Sequence, residues 1–347
     1  MPSVAVRILH PLPDPAAGPL VRWVSGARAA LAERHRRGFE AVGAEDVAIV
    51  SGSADGRSFG PRLWDLVAKA GRRGLVVLGS GSIPLATLAD RRAFVEAAAS
   101  DESRALANDR YSADIVAIAR VDRLPTIPDL TSDNALPRWL GDVAGYDVSD
   151  LKRRWRLAVD IDGPLDLVLT GVGDPPSDID LAPIRQRLAA TQAAGRDRRG
   201  ELLVAGRTSA ATLAWLERHT ASRTRAFVEE RGLRSANASN RRPPISVLGA
   251  LLDRDGPESF GDHLARLADA AIVDTRVLLA HRLGADESAW PAAEDRFASD
   301  LLLPGGIRDP WLRALTTSAT TAPIPILLGG HTLVGPGVRL AMGGAWT

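Results

Sequence analysis

Gly74–Ala89, GLVVLGSGSIPLATLA, is the stretch whose reading decides the fold. The run Leu75–Leu78 offers no polar position for a watery face, which is the pattern of a strand buried on both sides in a parallel sheet. Gly79-Ser80-Gly81-Ser82 then turns the chain, and its glycines let the backbone approach a ligand closely. A helix over Leu88–Ser100 is predicted after Pro84.

Outward from this stretch the same grammar repeats. Toward the N-terminus lie a β-type run Val4–Leu9, a Pro-rich loop His10–Pro19, an amphipathic stretch Leu20–Val42, a strand Asp46–Ser51 and a helix Pro61–Arg73. Such alternation implies a mostly parallel sheet flanked by helices, the Rossmann-like α/β class. Toward the C-terminus, Asn108–Asp114 leads into apolar Ile115–Ile118. Short helices are then predicted over Asn134–Gly145 and Ser149–Arg154, a strand over Leu157–Ile161, and a helix opening at Asp162-Gly163-Pro164, where proline suits the first turn.

Composition shifts at Gly171–Asp178 (GVGDPPSD), so the expected division is a first domain over 1–172, a linker and bridging helix over 173–199, and a second α/β domain over 200–347. The second half restarts with a strand Glu201–Ala205, a turn Gly206–Ser209, a helix Ala210–His219 and a strand Arg223–Val228. Ala236–Pro244 reads as a polar connection. A strand over Ala271–Leu279 carries Asp274 and Arg276, placed on one face by their spacing of two. A last strand, Pro325–Leu328, runs into Gly329-Gly330-His331.

The 347 residues suffice for two cores. A formal net charge of +1 gives no chain-wide field for nucleic acid or an anionic membrane. There is no cysteine, so no disulfide, thiolate nucleophile or cysteine-dependent zinc site is expected. Lys69 and Lys152 are the only lysines, which speaks against a lysine Schiff base such as PLP requires. No apolar run reaches the roughly 18 residues of a membrane span, and the N-terminus lacks the order of a signal peptide. The chain therefore reads as cytoplasmic, without a membrane or nucleic-acid partner and with room for a homo-oligomer. The histidines show no metal-ligand spacing.

Two segments of the first half carry a resemblance. Leu78–Leu85, LGSGSIPL, looks like the strand-end turn GDxPL of the GT-A nucleotidyltransferase superfamily, and Asp160–Leu167, DIDGPLDL, is similar to that superfamily's closing D-x-D-T-P-x-D-L segment. The resemblance implies a GT-A fold for the first domain and a nucleotide or nucleotide-linked small molecule as ligand, in cofactor biosynthesis among other settings. It also implies backbone contacts from Gly79, Ser80, Gly81 and Ser82, and a Mg²⁺ or Mn²⁺ ion on Asp160 and Asp162, both catalytic in that case. Two departures stand beside it. Ser82 occupies the place of the first carboxylate, and the loop after the first strand, HPLPDPAAG, has proline where backbone donors would cradle phosphates. A catalytically degenerate binding protein is the alternative reading.

A third reading puts chemistry in the second half. Arg207, Thr208 and Ser209 lie at a strand-to-helix junction, where the helix dipole and free N–H groups favour an anion, or where Ser and Thr simply cap. Asp274 and Arg276 form either a buried structural bridge or a site. His331, after two glycines, is either an acid or base near neutrality or an incidental residue of a chain reversal. Arg296 and Asp300, spaced i, i+4, read as a surface salt bridge, and Arg34, Arg36 and Arg37 as a solvated helix face. Asn108, Arg110, Tyr111 and Asp114 line either a pocket or a polar turn.

Overall fold

The computed structural model describes residues 4–52, 57–71, 74–130, 133–233 and 242–344. Most of Ala236–Pro244 lies outside the described residues. The chain divides into two compact units, one built from Met1–Ala16 and Ser25–Ile161, the other from Ala17–Val24, Asp162–Leu233 and Ala238–Thr347. The division falls at Ile161/Asp162, where the sequence reading set the end of its first domain at 172.

The first unit holds strands β1 (Val4–Pro11), β2 (Asp46–Gly52), β3 (Gly74–Gly79), β4 (Arg104–Ala107), β5 (Ile115–Ile118) and β6 (Asp147–Asp150). They form one sheet in the order β2-β1-β3-β5-β4-β6. β1 pairs parallel with β2 and β3, β5 runs antiparallel to β3 and β4, and β6 is parallel to β4. Its helices are α1 (Pro19–Glu40), of which the part up to Val24 belongs to the second unit, α2 (Phe59–Ala70), α3 (Leu88–Ala98) and α4 (Leu136–Asp142). Period-two alternation in β3 feeds two apolar layers. Val76 and Leu78 pack with Phe39 and Phe94, while Leu75 and Val77 pack with Leu63 and Leu136. The continuous apolar run in Gly74–Ala89 thus reflects a strand covered on both faces.

The second unit holds β7 (Glu201–Gly206), β8 (Arg223–Val228), β9 (Ala270–Asp274) and β10 (Ile326–Gly329), ordered β10-β9-β7-β8 and parallel throughout. Its helices are α5 (Pro164–Thr170), α6 (Ala182–Arg196), α7 (Ala210–His219), α8 (Val247–Asp255), α9 (Phe260–Ala265), α10 (Thr275–Leu283), α11 (Ala293–Asp300), α12 (Pro310–Thr321), α13 (His331–Val334) and α14 (Val338–Ala341). β7, β9 and β10 are buried along nearly their whole length, and β8 is the half-exposed edge. Among the described residues, no helix is long and apolar enough to cross a membrane.

Three expected elements change. Ser149–Arg154 is not a helix: Asp147–Asp150 forms the edge strand β6 because β4 offers it backbone partners. Leu157–Ile161 is not a strand but a 3₁₀ turn, Trp155–Ala158, followed by a lone antiparallel bridge between Asp160 and Ser82. The strand expected over Ala271–Leu279 stops at Asp274, whose carboxylate accepts the Arg276 N–H and so starts α10.

Candidate functional sites at the strand ends

In each unit the chain leaves its first strand for a neighbour on one side and returns to pair on the other. β1 is flanked by β2 and β3, and β7 by β8 and β9. Loops diverge at such a switch point, which leaves a crevice at the carboxyl ends of the strands, the usual ligand site of open α/β sheets.

In the first unit this point is the turn Gly79–Ser82. His10, near the end of β1, and Ser80 are buried, with His10 Nδ1 3.0 Å from Ser80 Oγ. Burial and then the charge of Arg28 lower the pKa of His10, so the pair is neutral at pH 7. His35 from α1 lies under the same turn. Arg91 is 3.2 Å from His35 Nδ1 and can only donate, so Nε2 carries the proton and donates to the Ser82 carbonyl at 2.8 Å. Burial, then Arg91, press the His35 pKa down to about 3. Ile83, which follows, is held at φ 45°, a conformation a β-branched residue adopts only under constraint.

The other wall of the turn is Asp160. Besides the Ser82–Asp160 bridge, the Ile161 N–H donates to the Gly81 carbonyl at 3.0 Å, and Arg28 Nε donates to the Ile161 carbonyl at 2.7 Å. A Cβ on Gly81 would stand 3.0 Å from Asp160 Oδ1, Arg28 Nε and the Ile161 oxygen, so only glycine fits without displacement. The turn is therefore tightly held, and Gly79, Ser80, Gly81, Ser82 and Asp160 come together.

Below it, Thr87 and Asp90 form a capping box on α3, and Asp90 also binds Arg154 at 2.8 Å and Arg156 at 2.7 Å. Burial works to raise the Asp90 carboxyl, but Arg156, Thr87 and Arg154 hold it at about 2. Asn108 has a structural role, bonded to Asp114, Ile115 and Leu157, while Tyr111 is exposed. Arg36 and Arg37 pair with Glu33 on the helix surface as expected; Arg34 instead donates to the Pro84 carbonyl.

Asp162 opens the second unit, where its N–H donates to Asp166 Oδ2 at 2.9 Å beside that of Gly163 at 2.8 Å. Burial, then the charge of Asp162, push the Asp166 carboxyl well above its ordinary value. Among the described residues, no group of three or more His, Asp or Glu is placed to hold a metal.

At the second switch point Arg207 grips Asp274, Nε to Oδ2 at 2.6 Å and Nη2 to Oδ1 at 3.1 Å, both side chains buried. Burial alone would raise the Asp274 carboxyl; Arg207, helped by His331 and Arg276, holds it below its ordinary value. Arg276 binds Asp300 of α11 through two N–H groups, Nη2 to Oδ2 at 2.6 Å. Burial pulls Asp300 upward and Arg276 opposes it. Because a guanidinium keeps its proton and meets both carboxylate oxygens, the pair is ionic. His331 begins α13 after Gly330, where a Cβ would lie 3.7 Å from Arg276 Nε. Ser209 caps α7, its oxygen accepting the Thr212 N–H. Gly206, at φ 123°, leaves no room for a Cβ, which would sit 2.3 Å from that of Asp274.

The structure thus brings Arg207, Thr208, Ser209, Asp274, Arg276 and His331 to the ends of β7, β9 and β10. Two expectations are corrected. Asp274 and Arg276 share no strand face, since Arg276 is helical; and Asp300 pairs with Arg276 in the interior rather than with Arg296 on the surface. Arg296 instead reaches Glu287 and lies over Trp290. The sequence reading missed His10, Arg28, His35 and Asp166 because their partners are remote or structurally defined. The only local signal was aspartate three residues into a Pro-initiated helix, at Asp166.

Fold and strand ends define the class: an α/β protein with two Rossmann-like sheets, each with a polar switch point. Compared with known proteins, the chain matches no family model and no curated protein.

Proposed function

We propose that the first unit binds a nucleotide or nucleotide-linked small molecule at Gly79–Ser82, as a nucleotidyltransferase-like binding domain. The observation that carries this reading is the Ser82–Asp160 bridge, which joins the two segments resembling GT-A motifs. The single antiparallel strand β5 within an otherwise parallel order, and the switch point beside the turn, support it.

Asp160 presents a carboxylate beside the turn, whose own backbone N–H groups at Gly79, Ser80 and Ser82 are already taken by the carbonyls of Asp114, Leu9 and Gly79. A Mg²⁺ or Mn²⁺ ion arriving with the phosphates would be held by Asp160 and the phosphate oxygens, and would neutralise phosphate charge. Ser82 supplies a hydroxyl where a second carboxylate would complete a clamp, so the domain is read as retaining the nucleotide rather than transferring it. Arg28, fixed on the Ile161 carbonyl, keeps Asp160 and the turn in register.

Calorimetric titration of the full chain with ATP, CTP and GTP in Mg²⁺ tests this. At least one should bind, and Asp160→Asn should weaken it about tenfold, the loss of one charged contact. Binding of none of them overturns the proposal, and nucleotidyl transfer by the wild type overturns the non-catalytic reading.

A further inference from the structure

We propose that the turn Gly206–Ser209 of the second unit binds the phosphate group of a small phosphate monoester. Three kinds of donor are carried by this turn and the helix that follows it. Arg207 is 7% exposed and is oriented by Asp274 through Nε and Nη2; among the described residues its Nη1 has no acceptor. Thr208 is wholly buried, yet among the described residues its Oγ1 has no hydrogen-bond partner. A buried hydroxyl left unpaired is destabilising, which points to a partner supplied from outside the chain. Finally, α7 runs for ten residues from this turn, and the Ser209 hydroxyl is taken up by Thr212, accepting its N–H and meeting its Oγ1 at 3.0 Å. The N–H groups of Ala210 and Ala211 have no carbonyl four residues back within the helix and face an anion favourably.

The chemistry selects phosphate. Arg207 is already neutralised by Asp274, so it adds directed donors more than net charge, and attraction rests on the number of bonds made. A phosphate monoester offers three terminal oxygens, enough to meet guanidinium, hydroxyl and helix N–H groups together. A diester offers two. The close approach of β7 and β9 at Gly206, where a Cβ would overlap Asp274, brings the Arg207–Asp274 pair directly onto the turn. None of this depends on the nucleotide reading of the first unit.

Titration of the full chain by calorimetry with inorganic phosphate, glycerol 3-phosphate and dimethyl phosphate, each without nucleotide, provides the test. Phosphate and the monoester should bind, and the diester at least tenfold more weakly. Thr208→Val should lower phosphate affinity about tenfold, the loss of one hydrogen bond to a charged acceptor. Because the variant removes an unpartnered hydroxyl, its thermal unfolding without phosphate should occur at the same or a higher temperature, so lost binding is not lost folding. No binding of phosphate or monoester at millimolar concentration, equal binding of the diester, or undiminished binding by Thr208→Val overturns the assignment.

Discussion

The two switch points share a topology and differ in chemistry. At the first, the side-chain links across the strand ends are neutral, His10 on Ser80 and His35 on the Ser82 carbonyl, with Asp160 as the charged wall of the turn. At the second, the links are ionic: Arg207 on Asp274, and Arg276 on Asp300. The topology is the same in both cases, but the residues at the strand ends decide what breaking the closure costs and what it attracts.

Removing one partner from each closure separates the two chemistries. Arg207→Met strands the buried Asp274 carboxylate and should cost about 3–5 kcal/mol by urea unfolding. Ser80→Ala deletes one neutral hydrogen bond and should cost about 1 kcal/mol. Similar losses would erase the distinction between charged and neutral closure.

Between these extremes lies a pH effect. His35 is neutral in the fold, with its pKa pressed to about 3 from 6.5, so below pH 6.5 the unfolded chain binds a proton that the fold does not. Stability is then fully present above 6.5 and is lost as pH falls, by about 2–3 kcal/mol between 6.5 and 4.5. His35→Gln keeps a donor for Ser82 and an acceptor for Arg91. Its unfolding free energy, measured across the same range, should fall less than the wild type's by that amount; an unchanged slope would show that His35 is not the titrating group.

Much of the fold was readable because burial writes itself into local sequence. Leu75–Leu78, Leu202–Ala205 and Pro325–Leu328 are apolar without alternation, as strands covered on both faces must be. The strand–helix junction at Asp274 is hidden in the sequence because apolar residues continue through it, AIVDTRVLLA, and erase the change of period. The informative residue was Asp274 itself, a helix cap hidden in an apolar run. Pairings were less accessible. Arg276 meets Asp300 across 24 positions and His10 meets Ser80 across 70, distances at which spacing along one helix or strand says nothing. The same limit made Arg296 the apparent partner of Asp300. Local sequence did place Gly79–Ser82 and Gly206–Ser209 as turns between a strand and a helix, because glycine and helix caps are local signals.

If the two turns are separate ligand sites, a crossed titration leaves each ligand unaffected by the other site's variant. The nucleotide that binds the wild type is titrated into Thr208→Val, and inorganic phosphate into Asp160→Asn. Each affinity should stay within a factor of about two of the wild type, the spread expected for changes that share no partner. Loss of nucleotide binding in Thr208→Val, or of phosphate binding in Asp160→Asn, would contradict that separation.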